Sequence, residues 1–260
     1  MLYPRIIPCL LIRNSGLVKT KQFKNFKYVG DPINAVKIFN EKEVDELIVL
    51  DIDATAEHRE PDYQMVQNMA CECRMPLCYG GGIKTVEQAQ RISELGVEKV
   101  ALSSAAVECP SLVTQIARQV GSQSVVVILD VKKSFFGDRY EVWSHNGGRN
   151  TRKCPVVLSR DLEESGVGEV VINSIDDDGM GKGYNLALMD KIRGSINVPM
   201  TALGGAGSLT DVKQLIARYG FVGAAAGSLF VFKGAYKAVL INYPNAREKE
   251  ALIASQEVKR

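Results

Sequence analysis

Only two histidines, His58 and His145, occur in 260 residues, and neither belongs to a ligand-spaced motif, so no metal site is expected. The six cysteines (Cys9, Cys71, Cys73, Cys78, Cys109 and Cys154) include no C-x-x-C pair and read as reduced thiols. None sits in a G-x-C-x-G nucleophile turn, which excludes the usual cysteine route from glutamine to ammonia within this chain. Long apolar runs are lacking as well. The N-terminal stretch is broken by Arg5, Pro8 and Arg13 before it could span a bilayer or serve as a signal core, so no membrane association and a cytoplasmic location are expected. An excess of one charge is also missing. With 32 basic and 30 acidic residues the net charge is +2, too small for the broad positive field of a nucleic-acid binder. Any attraction for anions must be local.

What is present is ordinary globular composition, 46% hydrophobic and 24% charged, with apolar surface enough for a large core. Short β-branched runs at residues 5–10, 46–51, 76–80, 98–103, 125–130, 169–174, 199–203 and 222–226 read as eight strands. Helical patterns follow each of them. Asp31-Pro32 offers a cap and an N1 proline, Thr85 opens another helix, and Ser208 to Asp211 has the form of a capping box. Eight units in 260 residues is about 32 per unit, the length of a βα repeat. The expected fold is α/β, a single TIM (β/α)8 barrel over residues 1–260, with an open doubly wound sheet as the competitor. Internal repetition favours the barrel. At an offset of 119 to 124 residues, Glu46 to Asp53 lies over Glu169 to Asp176, Gly80-Gly81 over Gly204-Gly205, and Lys99 to Ser104 over Gly223 to Ser228. The chain therefore reads as two (β/α)4 half-barrels, approximately residues 1–120 and 121–245.

In such barrels the loops after the strands carry the chemistry. Gly80-Gly81-Gly82 with Ser103-Ser104, and Gly204-Gly205 with Gly227-Ser228, pair glycine-rich turns with hydroxyl-bearing helix starts. Both have the makings of a phosphate cradle, which suggests an anion at each end of a long substrate. Asp130 ends the fifth strand and can move protons there, or can cap a helix or pair with Lys132 or Lys133. Of the run Asp176-Asp177-Asp178-Gly179, Asp178 is the functional candidate and the other two read as solvated loop charges. Residues 12–30 contain Arg13, Lys19, Lys21, Lys24 and Lys27 and no acid until Asp31. They read as a basic, mobile lid without secondary structure, or as solvated lysines, with Lys19 nearest the strand. Residues 134–150 read as an inserted hairpin with Gly137-Asp138 as its turn, covering the mouth. At the opposite end Arg5, Glu46, Lys99 and Glu169 stand at strand starts, either as a self-neutralising plug or as solvated rim charges. Residues 244–260 are charged and helix-compatible and are expected only to cover the barrel.

These residues together resemble HisF, the cyclase subunit of imidazole glycerol phosphate synthase, over nearly the whole chain. The motifs that carry the likeness are Arg5 to Leu10, Val18-Lys19, Gly30-Asp31-Pro32, Asp45-Glu46-Leu47, Gly80 to Ile83, Ser104 to Val107, Gly121-Ser122-Gln123, Asp178-Gly179, Gly204 to Gly207 and Gly227-Ser228. The resemblance implies ammonia delivered from a HisH-like glutaminase docked on the barrel floor, and a heterodimer. It implies that Arg5, Glu46, Lys99 and Glu169 form an ammonia gate and that Glu98 borders the partner. It further implies phosphate contacts from Gly82, Ser103, Ser104, Asp178, Gly179, Gly205, Gly227 and Ser228, catalytic roles for Asp130 and Lys19, the latter on a mobile loop, and no organic cofactor.

One departure is decisive. The cyclases divide acid and base work between aspartates ending strands one and five; the second is Asp130, but the first is Leu11, which cannot carry a proton. Ser103 stands where an asparagine is usual. Such altered copies resemble the HisF-like subunits of surface-polysaccharide (lipopolysaccharide) gene clusters, which with a HisH-like glutaminase install an acetamidino group on a nucleotide-linked sugar. That lyase or amidotransferase type of synthase, with a phosphorylated or nucleotide-sugar substrate, is the expected function. The alternatives are a histidine-biosynthesis cyclase with rearranged acid chemistry and a non-catalytic scaffold that activates a glutaminase.

Overall fold

The computed structural model describes residues 3–134, 139–234 and 236–254. Its centre is a closed ring of eight parallel strands. In chain order the elements begin with β1 (Arg5–Arg13), β2 (Gly16–Lys21), β3 (Lys24–Gly30), α1 (Pro32–Glu41), β4 (Leu47–Asp51), α2 (Tyr63–Glu72), β5 (Leu77–Gly80) and α3 (Val86–Glu94). They continue with β6 (Lys99–Leu102), α4 (Ser104–Glu108), α5 (Pro110–Val120), β7 (Val125–Lys133), β8 (Tyr140–Ser144), β9 (Arg149–Asn150) and α6 (Pro155–Glu164). Last come β10 (Glu169–Ser174), α7 (Leu186–Arg193), β11 (Met200–Leu203), α8 (Leu209–Tyr219), β12 (Gly223–Ala226), α9 (Ser228–Val231), β13 (Phe232–Lys233), β14 (Ala238–Val239) and α10 (Ala246–Ile253). The ring runs β1-β4-β5-β6-β7-β10-β11-β12, and β1 pairs with β12 to close it, which excludes the open sheet.

Strand parity sorts each strand into an outer and an inner face. Outward residues such as Ile6, Leu47, Val127 and Ile172 pack against the helices in the main core, while Ile7, Cys9, Ile48, Ala101, Ile128, Val171 and Ala225 form a separate inner layer. On β10 the inward series reads Glu169, Val171, Asn173, so one strand passes from charged floor through apolar middle to polar mouth. The helix starts match their sequence signals: Asp31 caps α1 before Pro32, Thr85 caps α3, and Ser208 with Asp211 forms a complete capping box on α8.

The basic segment after strand one differs from the expectation of a mobile lid. It is an antiparallel hairpin, β2 and β3, continuing from β1, with β2 paired on both edges. Two-residue turns at Asn14-Ser15 and Gln22-Phe23, all at positive φ (47° to 60°), make it possible. The insertion after strand five is a hairpin as expected, β8 lying antiparallel to β7 with Asp130 opposite Trp143. Its Gly137-Asp138 turn lies outside the described residues, as do residues 255–260. The rest of the C-terminal segment covers the barrel: Lys249 pairs with Asp45 at 3.0 Å and Leu252 is buried in the main core, with Tyr243 just before the segment donating to Ile6 O at 2.8 Å. Among the described residues no helix is long and apolar enough to cross a membrane.

Candidate functional site

One cavity at the C-terminal ends of the strands is lined by Lys19, Gly82, Ser103, Ser104, Asp130, Asp178, Gly179, Gly205, Gly227 and Ser228. Leu11 lines it too, at the end of the inner face of β1 beside Leu50 on β4, both packed on the apolar inner layer.

Asp130 is buried at the end of the inner face of β7. Burial pushes its carboxyl up to about 7, the nearby Asp178 adds to the rise, and a 2.8 Å hydrogen bond from Asn173 Nδ2 opposes it. Its side chain is bonded to Asn173 rather than capping a helix or pairing with Lys132. Lys132 instead lies over the Trp143 ring, 5.2 Å from its centroid, outside the mouth. A carboxyl poised near neutrality can exchange protons in either direction at physiological pH.

Lys19 is fixed on β2 and nearly buried, not carried on a mobile loop. Its Nζ donates to Cys9 O, and burial lowers its pKa. Lys21, Lys24 and Lys27 are exposed, and Arg13 pairs with Asp53 at 3.3 Å and stacks on Phe26, so of that basic set Lys19 alone lines the cavity. Asp178 Oδ2 accepts from Thr20 Oγ1 at 2.6 Å and Phe23 N at 3.1 Å, pinning the hairpin across the mouth. Asp176 and Asp177 are not solvated charges. Asp176 accepts from Lys133 N at 2.8 Å, and Asp177 accepts from Ser174 Oγ at 2.6 Å, so the acidic run is half-buried and bonded.

The glycine turns are tight, and at Gly205 a glycine is sterically obligatory. Gly205 has φ +104°, and a Cβ there would lie 2.1 Å from Gly183 O. Gly205→Ala is therefore expected to cost at least about 2 kcal/mol, read as a lower urea midpoint. At Gly227 a Cβ would lie 2.7 Å from Lys19 Nζ, so this glycine leaves the space the ammonium occupies. Ser103 and Gly227 immediately precede α4 and α9, where neither is engaged as a side-chain cap. Ser104 Oγ accepts from His145 N at 2.9 Å and ties the β8 hairpin to the mouth, with its own proton still to give.

At the other end the four charges form a closed ring rather than rim charges in solvent. Arg5 binds both Glu46 and Glu169, the latter at 2.8 and 3.1 Å, and Lys99 Nζ binds both glutamates at 2.9 Å. Thr201 also donates to Glu169. Burial pushes the Glu169 carboxyl up, but the hydrogen bond and charge of Arg5, with Lys99 and Thr201, hold it below the ordinary range. Glu98 is exposed on the same side, its carboxylate accepting from Leu77 N at 2.8 Å.

Sequence reasoning passes over Asn173, Thr20, Phe23, Thr55 and Asn146, which also line the cavity. Asn173 has a signal in the strand parity it shares with Glu169; Phe23 and Asn146 reach the mouth only through the folded excursions.

Comparison with known proteins agrees over most of the chain. The histidine biosynthesis protein family matches residues 5–237. A provisionally named imidazole glycerol phosphate synthase subunit HisF of Leptospira interrogans is 56% identical over 97% of this chain and 99% of its own. A provisionally named subunit hisF2 of Pseudomonas aeruginosa is 52% identical over 95% and 98%. The imidazole glycerol phosphate synthase subunit HisF of Lactococcus lactis subsp. cremoris is 38% identical over 88% and 89%.

Proposed function

The chain belongs to the histidine biosynthesis protein family as a HisF-like subunit, and from that premise we propose that it is the ammonia-using synthase subunit of a glutamine amidotransferase pair. Its reaction is formation of an acetamidino group on a nucleotide-linked sugar used for surface polysaccharide. The partner is a HisH-like glutaminase on the floor, beside Glu98 and the ring of Arg5, Glu46, Lys99 and Glu169. Ammonia is small and uncharged as the free base, so the apolar inner layer between ring and mouth suits its passage.

The observation that carries the reading is the pairing of Asp130 with Leu11 at the mouth. Ring closure to an imidazole calls on two carboxyls in these positions, whereas exchange of an amide oxygen for nitrogen can be served by one that changes protonation state. Lys19 and the two glycine and serine turns supply donors and positive charge for a diphosphate-linked substrate, while Asp178 holds the hairpin that carries Lys19. An intact mouth of this kind has no purpose in a scaffold that only activates a glutaminase.

The test gives the purified chain 15N-ammonium and UDP-N-acetylated sugars, in parallel with and without magnesium ATP because loss of water from an amide is uphill in water. Mass spectrometry is expected to find 15N in the sugar nucleotide. No incorporation with any acetamido sugar nucleotide, in either arm, would overturn the reading. Leu11→Asp, which restores the second carboxyl, is expected to give no histidine-pathway ring closure above the parent chain; a gain of tenfold or more would assign the mouth to the ribulosyl substrate.

A further inference from the structure

Asn173 stands directly opposite Asp130 in the register of β10 with β7. Its amide is bonded on one side only: Nδ2 donates to Asp130 Oδ1, while Oδ1 is buried without a partner. The residue is 7% exposed. An orphaned buried acceptor costs roughly 1–3 kcal/mol, so a one-sided amide at this point calls for an explanation.

The surroundings supply one. The Asn173 Oδ1 and Ser174 O both flank the place where a Cβ on Gly204 would stand, at 3.2 and 2.7 Å from it. Gly204 has no Cβ, and the terminal torsion of an asparagine is broad and two-fold. A half-turn of the amide gives up one hydrogen bond, from Nδ2 to the Asp130 carboxylate. Once Asp130 is protonated, its O–H needs an acceptor, and the turned amide presents Oδ1 to it while Nδ2 turns into the space left by Gly204, beside a Ser174 O that already accepts from Asp178 N at 3.0 Å and Asp177 N at 3.3 Å. Each protonation state thus has its own amide orientation.

We propose that Asn173 is a positioning residue that follows the protonation of Asp130, donating to the carboxylate and accepting from the acid, so that one carboxyl serves alternately as base and acid. The use made of the proton rests on the ammonia-transfer reading; the switch itself does not. In that reaction the nitrogen lone pair bonds to the amide carbon and the C=O π pair moves to oxygen. The C–O bond then breaks, and the oxygen leaves as water. Two protons leave the nitrogen and two reach the oxygen, each by way of Asp130, which ends as it began. Leu11 provides no second carrier, which is why a partner stable in both states matters at Asp130.

The groups facing this pair are few. Asp178, on the loop after β10, raises the Asp130 pKa; Cys9 on β1, Lys19 on β2 and Asp51 at the end of β4 line the same mouth; and β8 opposes Asp130 with the uncharged Trp143. Lys132 and Glu141 line a separate outer groove.

The experiment is NMR of the isotopically labelled chain between pH 5 and 9, the Asn173 side-chain amide being assigned by its loss in Asn173→Ser. Its NH2 signals are expected to titrate with the midpoint of the Asp130 carboxyl carbon. Their nuclear Overhauser contacts should move from Asp130 at high pH to Gly204 at low pH, and Asp130→Asn should abolish both changes. Contacts to Asp130 alone at both extremes, or an NH2 pair indifferent to pH while Asp130 titrates, would overturn the proposal. Asn173→Leu, which removes the donor to the carboxylate, should move the Asp130 midpoint upward. No substrate is needed, so this result and the 15N-incorporation result stand or fall separately.

Discussion

Asp130→Asn is expected to lower ammonia-dependent turnover by about 10²–10⁴-fold, the range for removal of a general acid–base group, and at the same time to stabilise the folded chain at pH 8. The second effect follows from burial. The folded-state value of about 7 lies above the ordinary 3.8, so between those values the folded chain holds a proton that the unfolded chain has released. The contribution of Asp130 to stability is therefore complete below about pH 4 and is lost as pH rises through 7. A shift from 3.8 to about 7 corresponds to roughly 4 kcal/mol by pH 8. Asparagine never ionises and escapes that loss. The variant should have a higher urea midpoint than the parent at pH 8, with the advantage shrinking as pH falls. Equal midpoints at pH 8 would show that Asp130 ionises without penalty and deprive it of its neutral-pH poise.

Glu169→Gln should act in the opposite sense. It leaves Arg5 and Lys99 sharing Glu46 alone in a partly buried ring, and breaking one member of such a set costs about 3–5 kcal/mol. In the parent, Glu169 lies below its ordinary 4.5 when folded, so its contribution is present above that pH and is lost as the solution is acidified below it. Urea unfolding at pH 7 should show the full loss in the variant, and the difference from the parent should narrow in acid. A loss under 1 kcal/mol would mean that the ring is solvated in solution.

The barrel and most of its mouth are legible in the sequence because the short β-branched runs and the repeat of glycine turns are both imposed by the strand geometry. Arg5, Glu46, Lys99 and Glu169 are legible as a set, but whether they meet depends on ring closure, which the spacing leaves open. The β2–β3 hairpin is hidden for a physical reason: Asn14-Ser15 and Gln22-Phe23 adopt positive φ without the glycine that marks such turns. Asp176 and Asp177 read as solvated charges because a charge run usually is one; here the partners are Lys133 N and Ser174 Oγ, supplied by a neighbouring strand and by the end of β10. Asn173 lies two positions beyond Val171 and four beyond Glu169, so parity alone turns it inward, but an uncharged amide draws no notice until its bond to Asp130 is seen.

The central claim is that this mouth, with Leu11 across the barrel from Asp130, no longer performs the histidine-pathway ring closure. The direct measurement is cyclase turnover by the purified chain with ammonium salt and the ribulosyl substrate, beside a histidine-pathway HisF as control. The account predicts turnover at least about 10²-fold below the control with the fold intact by circular dichroism. Turnover comparable to the control would contradict it and return the chain to histidine biosynthesis.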